Sequence, residues 1–381
     1  MTMGLDASVT DRRRQTRNHI YRYLYDAKGF CSRQRLARDL GLSLPTVYQN
    51  LSELMAAGLI RDSGEQQPTG GRKASGLSIV PDARIAVGVS VTEHHLRLAA
   101  ADLLLNELAY QEVDNGPIPR FNDMGGLLSQ VLEEFLDRFS IDRNRLLGVG
   151  IALPAVMSPD SRVITAGPTL RLKDTSLADL TASIPYPAHV ENDATGGGHA
   201  EAFAHSGSRN MAYLSWENGV GGAVVLGGRP YLGDNRRSGE FGHICVEPGG
   251  LRCACGRNGC LEAYCSPRRI REAFGLSPEE FFRRLEEDGP GRGAYAALWD
   301  NMLRHLAVGV CNLRMTLDCD VVIGGLMSEF LEPYLPRLRE YAAGGNPFEQ
   351  SADYVHLSAM RRHTVPLGVA LHFIADFLEH I

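Results

Sequence analysis

Cys253, Cys255 and Cys260 form a C-x-C-x4-C arrangement, with His243 ten residues upstream across the Gly249–Gly250 pair, in the segment HICVEPGGLRCACGRNGCLEAY. The stretch is too polar to be core. Three thiolates and one imidazole complete a tetrahedral zinc shell with no open position, which is the composition of a structural site. Gly256 and Gly259 let the backbone turn tightly enough to present all three sulfurs. The spacing is not that of a zinc finger, so disulfides and chance clustering stand as competing readings, and Cys245 and Cys265 are spare thiols beside the cluster.

The compartment bears on that choice. No run approaches the roughly 18 apolar residues a membrane-spanning helix needs, and the N-terminal MTMGLDASVTDRRRQTRN lacks the apolar segment of a secretory signal. The expected location is therefore the cytoplasm, with no membrane insertion, where a close cysteine cluster reads as metal-binding before it reads as disulfide-bonded. Cys31, Cys311 and Cys319 stand alone in apolar surroundings and read as packed thiols.

A chain of 381 residues is expected to form two or three domains. Its net charge of -6 is unevenly spread: residues 1–80 hold 12 Lys+Arg against 7 Asp+Glu, and the remainder 27 against 38. Only the N-terminal piece inclines towards a polyanion. There, a helix from Asp11 carries Tyr21, Leu24 and Tyr25, Gly29 ends it, and Ser32 caps a second helix that stops at Gly41. Ser43 caps a third, LPTVYQNLSELMAAG, in which Leu44, Val47, Leu51 and Leu54 are expected to face the core and Thr46, Tyr48, Gln49 and Asn50 to remain outside. Next, LIRDSGEQQPTGGRKASGLSIV reads as a hairpin wing with Arg72 and Lys73 at its tip. Helix, tight turn, helix with a polar face and basic wing describe a winged helix-turn-helix over residues 1–80, with Ser43, Thr46, Tyr48, Gln49, Asn50, Arg72 and Lys73 as candidate DNA contacts. A protein-interaction module is the competing reading.

After Pro81 the apolar runs RIAVGVSV, LRLAAADL and LLGVGIAL read as strands around the helix MGGLLSQVLEEFLDRF. A second such half begins near Met211 with MAYLSW and GVGGAVVLGGRPYLG, contains a helix over 298–317 and the strand DVVIGGLM, and ends in PLGVALHFIADFLEH. Two similar α/β lobes over 81–381 would leave a cleft between them, a usual place for a small ligand.

GEFGHICVEPGGLRCACGRNGCLEAY together with VENDATGGGHAEAF resembles the ROK family of sugar kinases and sugar-responsive repressors, and the N-terminal module resembles its repressor branch. The resemblance spans nearly the whole chain. It implies an α/β, two-lobed, actin-like ATPase-type (ribonuclease H-like) domain, usually dimeric, with zinc on His243, Cys253, Cys255 and Cys260 holding the 243–262 loop that lines a sugar pocket. It also implies that Asn192, Asp193, Glu240, His243 and Glu262 contact sugar hydroxyls. Carboxylates, amides and imidazole suit vicinal hydroxyls, and such sites discriminate strongly against analogues lacking them.

The chain departs from the family's kinases where they handle phosphate. VGVSVTEHHLRL has neither the aspartate nor the Gly-Gly pair of their first turn, SWENGVGGAVV opens with Trp216 and Glu217, and Ala155 replaces a glycine common in a turn at the pocket. Phosphoryl transfer depends on positioning and charge neutralisation at the phosphates, so loss of the metal-handling turn should abolish it. The expected function is a non-enzymatic, sugar-responsive transcriptional regulator, a repressor that acts as a homodimer or higher homo-oligomer. It would bind operator DNA and be released by a sugar or sugar phosphate. Alternatives are an ATP-dependent sugar kinase with a fused DNA-binding domain, and a regulator captured by a sugar-transport protein.

Overall fold

Two serines set where the N-terminal helices begin. Ser32 Oγ accepts the Arg35 N–H at 3.2 Å and Ser43 Oγ accepts that of Thr46 at 3.3 Å, each meeting a donor that helix ends leave unpaired. The computed structural model describes residues 9–27, 31–66, 75–114, 121–205, 210–287, 289 and 291–381. Helices α1 (Val9–Asp26), α2 (Arg33–Asp39) and α3 (Leu44–Ala56) are followed by strands β1 (Ile60–Gln66) and β2 (Ser75–Ile79), which pair antiparallel as the expected wing. Gly29 and the wing-tip residues Arg72 and Lys73 lie outside the described residues.

Val47, Leu51 and Leu54 are buried as expected, whereas Leu44 is 42% exposed. Leu44 is the first residue of α3, and its side chain lies over the preceding turn, beyond the core-facing stripe. Asn50 is buried rather than outside, which removes it from the DNA-facing set. It is three residues after Val47 and four before Leu54, hence on the apolar stripe, and its Nδ2 donates to the Thr46 carbonyl at 2.8 Å.

The first lobe comprises β3 (Ile85–Val91), β4 (His95–Asp102), β5 (Glu107–Asp114), α4 (Phe121–Arg138), β6 (Leu146–Leu153), a small sheet of β7 (Val156–Met157), β8 (Val163–Ala166) and β9 (Thr175–Ser176), then α5 (Leu177–Thr181), β10 (Ala188–Asn192) and α6 (Asp193–Ala204). The second comprises β11 (Met211–Trp216), β12 (Val220–Leu226), β13 (Arg229–Tyr231), α7 (Leu261–Cys265), α8 (Arg268–Phe274), α9 (Pro278–Glu286), α10 (Arg292–Leu317), β14 (Asp320–Gly324), α11 (Ser328–Leu331), α12 (Leu335–Gly345) and β15 (Val355–Leu357). Helix α13 (Thr364–Glu379) ends the chain.

The two lobes repeat one topology. Their sheets run in the orders β10-β6-β3-β4-β5 and β13-β12-β11-β14-β15, each with an antiparallel meander joined to parallel strands on the other side of its first strand. Central strand β3 is buried along its whole length, as its unbroken apolar run requires, whereas on edge strand β5 only Ala109 is buried. Cys31, Cys311 and Cys319 are buried, in keeping with packed thiols. Among the described residues no helix is long and apolar enough to cross a membrane.

Helix α13 lies on the first sheet and against α6, and glycines make the approach possible. A Cβ on Gly88 would sit 1.7 Å from the Pro366 carbonyl oxygen, and one on Gly368 would sit 1.8 Å from that of Gly196. The opposite side of α6 meets the second lobe, where Gly197 faces the Tyr213 ring. One apolar cluster runs from Ile20, Leu36 and Leu51 of the helix-turn-helix into Leu371, Ile374 and Leu378 of α13. At that seam the Leu378 carbonyl accepts Asn18 Nδ2 at 3.1 Å and Arg22 Nε at 3.4 Å, and the Tyr25 hydroxyl donates to the Leu103 carbonyl at 2.6 Å.

Gly368→Ala is expected to lower the melting temperature sharply, because a backbone oxygen cannot yield the space. Gly344→Ala, in α12 with open space around it, should raise stability by about 0.5–1 kcal/mol through helix propensity. Differential scanning calorimetry of both variants checks the contrast.

Candidate functional site

A cleft of about 580 Å³ opens between the lobes. Its walls are the β3–β4 hairpin at Ser90–Glu93, the start of α6, the turn between β11 and β12, the loop 236–243 and α7. All five residues expected to contact a sugar, Asn192, Asp193, Glu240, His243 and Glu262, line it. The first two come from the β10–α6 junction and the other three from the second lobe, so the site exists only where the lobes meet.

Asn192 is the N-cap of α6: its Oδ1 accepts the Thr195 N–H at 3.0 Å, and its Nδ2 donates to the Ala155 carbonyl at 3.2 Å. The cap is therefore Asn192 and not its neighbour, which leaves Asp193 to point into the cleft wall with Oδ1 accepting the Ala194 N–H at 2.9 Å. Burial pushes the Asp193 carboxyl up to about 7 against the pull of that N–H, with Glu217 and Glu240 adding to the rise. Burial raises Glu262 as well, although one of its oxygens accepts the Val220 N–H. The Glu262 carboxylate lies close to residue 219, where a Cβ would sit 3.1 Å from Oε1, a tight contact that would press on the carboxylate.

His243, Cys253, Cys255 and Cys260 come together with one donor atom of each within 4.8 Å of all the others. Cys255 Sγ lies 3.7 Å from Cys260 Sγ, and Cys253 Sγ lies 3.8 Å from His243 Nδ1. A tight turn, with the Cys253 N–H donating to the Arg257 carbonyl at 2.8 Å, brings the first two sulfurs to one side. Gly259 takes φ +82°, and a Cβ there would sit 2.0 Å from the Glu247 carbonyl oxygen. Burial pushes the Cys253 thiol up to about 12, whereas the Arg257 N–H holds Cys255 down to about 6. The set is a possible metal site.

The cluster is tied to the cleft at two points. Cys260 caps α7, whose second residue is Glu262, and His243 presents Nδ1 to the sulfurs and Nε2 to Glu240 Oε2, 4.0 Å away. One imidazole thus faces both the sulfur cluster and the cleft. Helix α7 is anchored by buried Leu261 and Cys265, by Trp216 Nε1 donating to the Cys265 carbonyl at 2.7 Å, and by the Tyr264 ring stacked 3.8 Å from His305.

On α3, Tyr48 is 53% exposed with the Arg33 guanidinium 5.7 Å from its ring centroid, and Gln49 is exposed beside it. Ser43 serves as the helix cap and Thr46 is half-buried against it. Three arginines that line the cleft gave no sign of it in the sequence: Arg236 and Arg237 stand in a loop before Gly239, where nothing local tells which way a cation points, and Arg268 opens α8, where a basic residue reads as an exposed helix position. Sequence reasoning noted Glu217 only as a departure; the carboxylate in fact reaches both Arg97 Nη1 at 3.0 Å and the Leu326 N–H at 3.3 Å.

The model of the ROK family matches residues 86–352, and a model described as winged helix-turn-helix DNA-binding matches residues 13–61. The xylose repressor of Bacillus subtilis (strain 168) is 24% identical over 371 residues, 92% of each chain. The DNA-binding transcriptional dual regulator NagC of Escherichia coli (strain K12) is 29% identical over 260 residues, 66% of this chain and 63% of its own. Among solved structures, a ROK family transcriptional regulator described as a homologue of the E. coli MLC protein superposes with a TM-score of 0.75 at 21% identity, covering 96% of this chain and 98% of its own. A ROK hexokinase from Thermus thermophilus gives 0.59 at 25% identity, covering 77% of this chain and 99% of its own.

The raised Asp193 carboxyl has a consequence for stability. Between pH about 4 and 7 the folded protein holds a proton that the unfolded chain has lost, so stability falls as pH rises through that window. Asp193→Asn removes the titration. Its melting temperature should exceed that of the unmodified protein at pH 8 and converge with it near pH 4; parallel curves across the range would contradict the assignment.

Proposed function

The chain belongs to the ROK family, and from that footing we propose a specific reading of it as a sugar-responsive transcriptional regulator of the repressor kind. Residues 1–80 bind operator DNA, and residues 81–381 hold a sugar or sugar phosphate in the interlobe cleft. One observation supports the reading: five side chains able to hydrogen-bond hydroxyls line a cleft whose α6 wall lies against α13, the helix that α1 of the DNA-binding module grips by its last turn. A ligand that binds one arrangement of the lobes better than another biases that seam, and with it the placement of the recognition helices.

On the DNA side, α3 presents Tyr48 and Gln49 to the major groove from its Ser43 and Thr46 end, and Arg72 and Lys73 of the wing reach phosphates or the minor groove. The protein acts as a homodimer, so its operator is a rough palindrome with half-sites a whole number of helical turns apart. Gln49→Ala is expected to lower operator affinity about tenfold with the salt dependence unchanged, whereas Lys73→Ala should weaken binding to all sequences and flatten the salt dependence. Fluorescence anisotropy over a salt series separates the two.

His243, Cys253, Cys255 and Cys260 hold a structural zinc ion. Tetrahedral bonds of about 2.3 Å place sulfurs about 3.8 Å apart, and the Cys255–Cys260 separation of 3.7 Å fits that edge. The ion supplies rigidity with no open position for chemistry; the chain's own part is to hold the loop so that Glu262 and His243 face the cleft. Cys253→Ser is expected to lower zinc from about one ion per chain to well below half, read by mass spectrometry of the metal, and to weaken sugar response and repression together. Full operator regulation by a zinc-free variant would sink this part.

The reading includes no phosphoryl transfer. The β3–β4 turn is a plain hairpin in which the Thr92 hydroxyl takes the His95 N–H at 3.0 Å, with neither aspartate nor glycine pair, and Glu217 occupies the Leu326 N–H in the opposite lobe. A coupled ATP assay on a panel of hexoses tests this: turnover would favour the kinase. The decisive experiment is binding to the DNA upstream of the chain's own gene with and without sugars and sugar phosphates. Site-specific binding released by one of them establishes the regulator, and release only by a transport protein would assign control to that partner.

A further inference from the structure

The two lobes are joined beside the cleft by an ion pair that belongs to neither the sugar-contacting set nor the metal cluster. Arg97 lies on β4 of the first lobe, with its side chain 7% exposed. Its Nε donates to Glu112 Oε2 at 2.9 Å, directly across the register on β5, and its Nη1 crosses to Glu217 Oε2 of the second lobe at 3.0 Å. The other Glu217 oxygen accepts the Leu326 N–H at 3.3 Å, in the turn after β14. Glu217 thus joins one strand of the first lobe to two turns of the second.

The contacts continue towards α13. The Tyr110 hydroxyl donates to Glu112 at 3.3 Å, its ring stacks on His363 at 3.9 Å, and His363 Nδ1 meets Glu107. His363 is the residue that opens α13. At its other end the seam reaches the sugar site. Asn218 follows Glu217 and is held by Ser266 Oγ, which donates to its carbonyl at 3.0 Å; two residues on, the Val220 N–H is the donor to Glu262.

Parting the lobes would break the Arg97–Glu217 contact while Arg97 keeps Glu112 and Glu217 keeps the Leu326 N–H, so the attraction across the seam is made only when the lobes are together. The pair therefore favours one relative position of the lobes over all others, which is what a differential interaction between conformations means. We propose that Arg97 and Glu217 are positioning residues: their ion pair clasps the lobes at the angle at which Asp193 and Glu262 face one ligand, and so sets the effector concentration that releases the operator. The last clause rests on the regulator reading; the clasp itself does not.

The test uses the full-length protein. Removing either charge alone leaves the other without its partner across the seam, so the pair is replaced together as Arg97→Met/Glu217→Gln, which removes both charges of the interlobe contact and nearly keeps the volume; Glu112, with its side chain 32% exposed, keeps the Tyr110 hydroxyl. In hydrogen-exchange mass spectrometry without ligand, amides of the 217–222 and 324–327 turns should exchange about fivefold or more faster than in the unmodified protein, with α10 unchanged. Exchange within about twofold in both turns would overturn the clasp.

Operator release by a panel of D-xylose, N-acetylglucosamine and N-acetylglucosamine 6-phosphate should then need about tenfold more sugar for the double variant, a coupling of ordinary size. Arg97→Lys, which keeps the charge but cannot fork to both carboxylates, should fall between. An unchanged or lowered midpoint alongside faster exchange would overturn the positioning role. If none of the three sugars releases the unmodified protein, the effector clause fails with the sugar-release reading on which it rests, while the exchange result still decides the clasp.

Discussion

Backbone contact between α6 and α13 is the constraint on which the rest of the molecule depends. Helices normally stand apart by the width of their side chains. Here Gly196 and Gly368 remove that spacer, and Gly88 removes it between α13 and the first sheet. Each glycine within a helix costs about 0.5–1 kcal/mol in propensity, offset by dense contact that a Cβ would forbid. The result is a single helical layer shared by two lobes and the DNA-binding module. Asp193 opens α6 at the cleft, and Leu378 near the end of α13 receives Asn18 and Arg22 of α1. A change at one end of this layer has few ways to dissipate, because backbones in contact move together.

The cleft concentrates acids, and the fold manages them in different ways. Glu217 is paired with a buried arginine, Glu262 accepts a backbone N–H, and Asp193, although it accepts the Ala194 N–H, is raised by burial to about 7. A carboxyl poised there can donate to or accept from a sugar hydroxyl. The sulfur cluster adds rigidity on the same side, since Cys260 and Glu262 share the first turn of α7.

The likeness to hexokinases and to a transcriptional regulator of similar architecture illustrates that a fold hosts functions through its turns. The overall fold is the common frame. In this chain the first-lobe turn is a hairpin closed by Thr92, and a carboxylate, Glu217, is placed on a backbone donor.

The sequence by itself determined the helix-turn-helix with its two serine caps, the repeated α/β lobes and the grouping of His243 with three cysteines, because each of these is written in spacing along a short stretch. Capping, strand alternation and ligand intervals are local physics. The family resemblance brought the five cleft residues into view, though intervals alone left them indistinguishable from exposed turns. Only the tertiary structure decided that Asn50 belongs to the core stripe, that Asn192 caps α6, and that Arg97 meets Glu217 across 120 positions of chain. A glycine triplet in a helix and a lone arginine in a strand read as weaknesses in one dimension. Their purpose depends on which backbone or carboxylate arrives opposite them, and that is set by how the two lobes fold against one another.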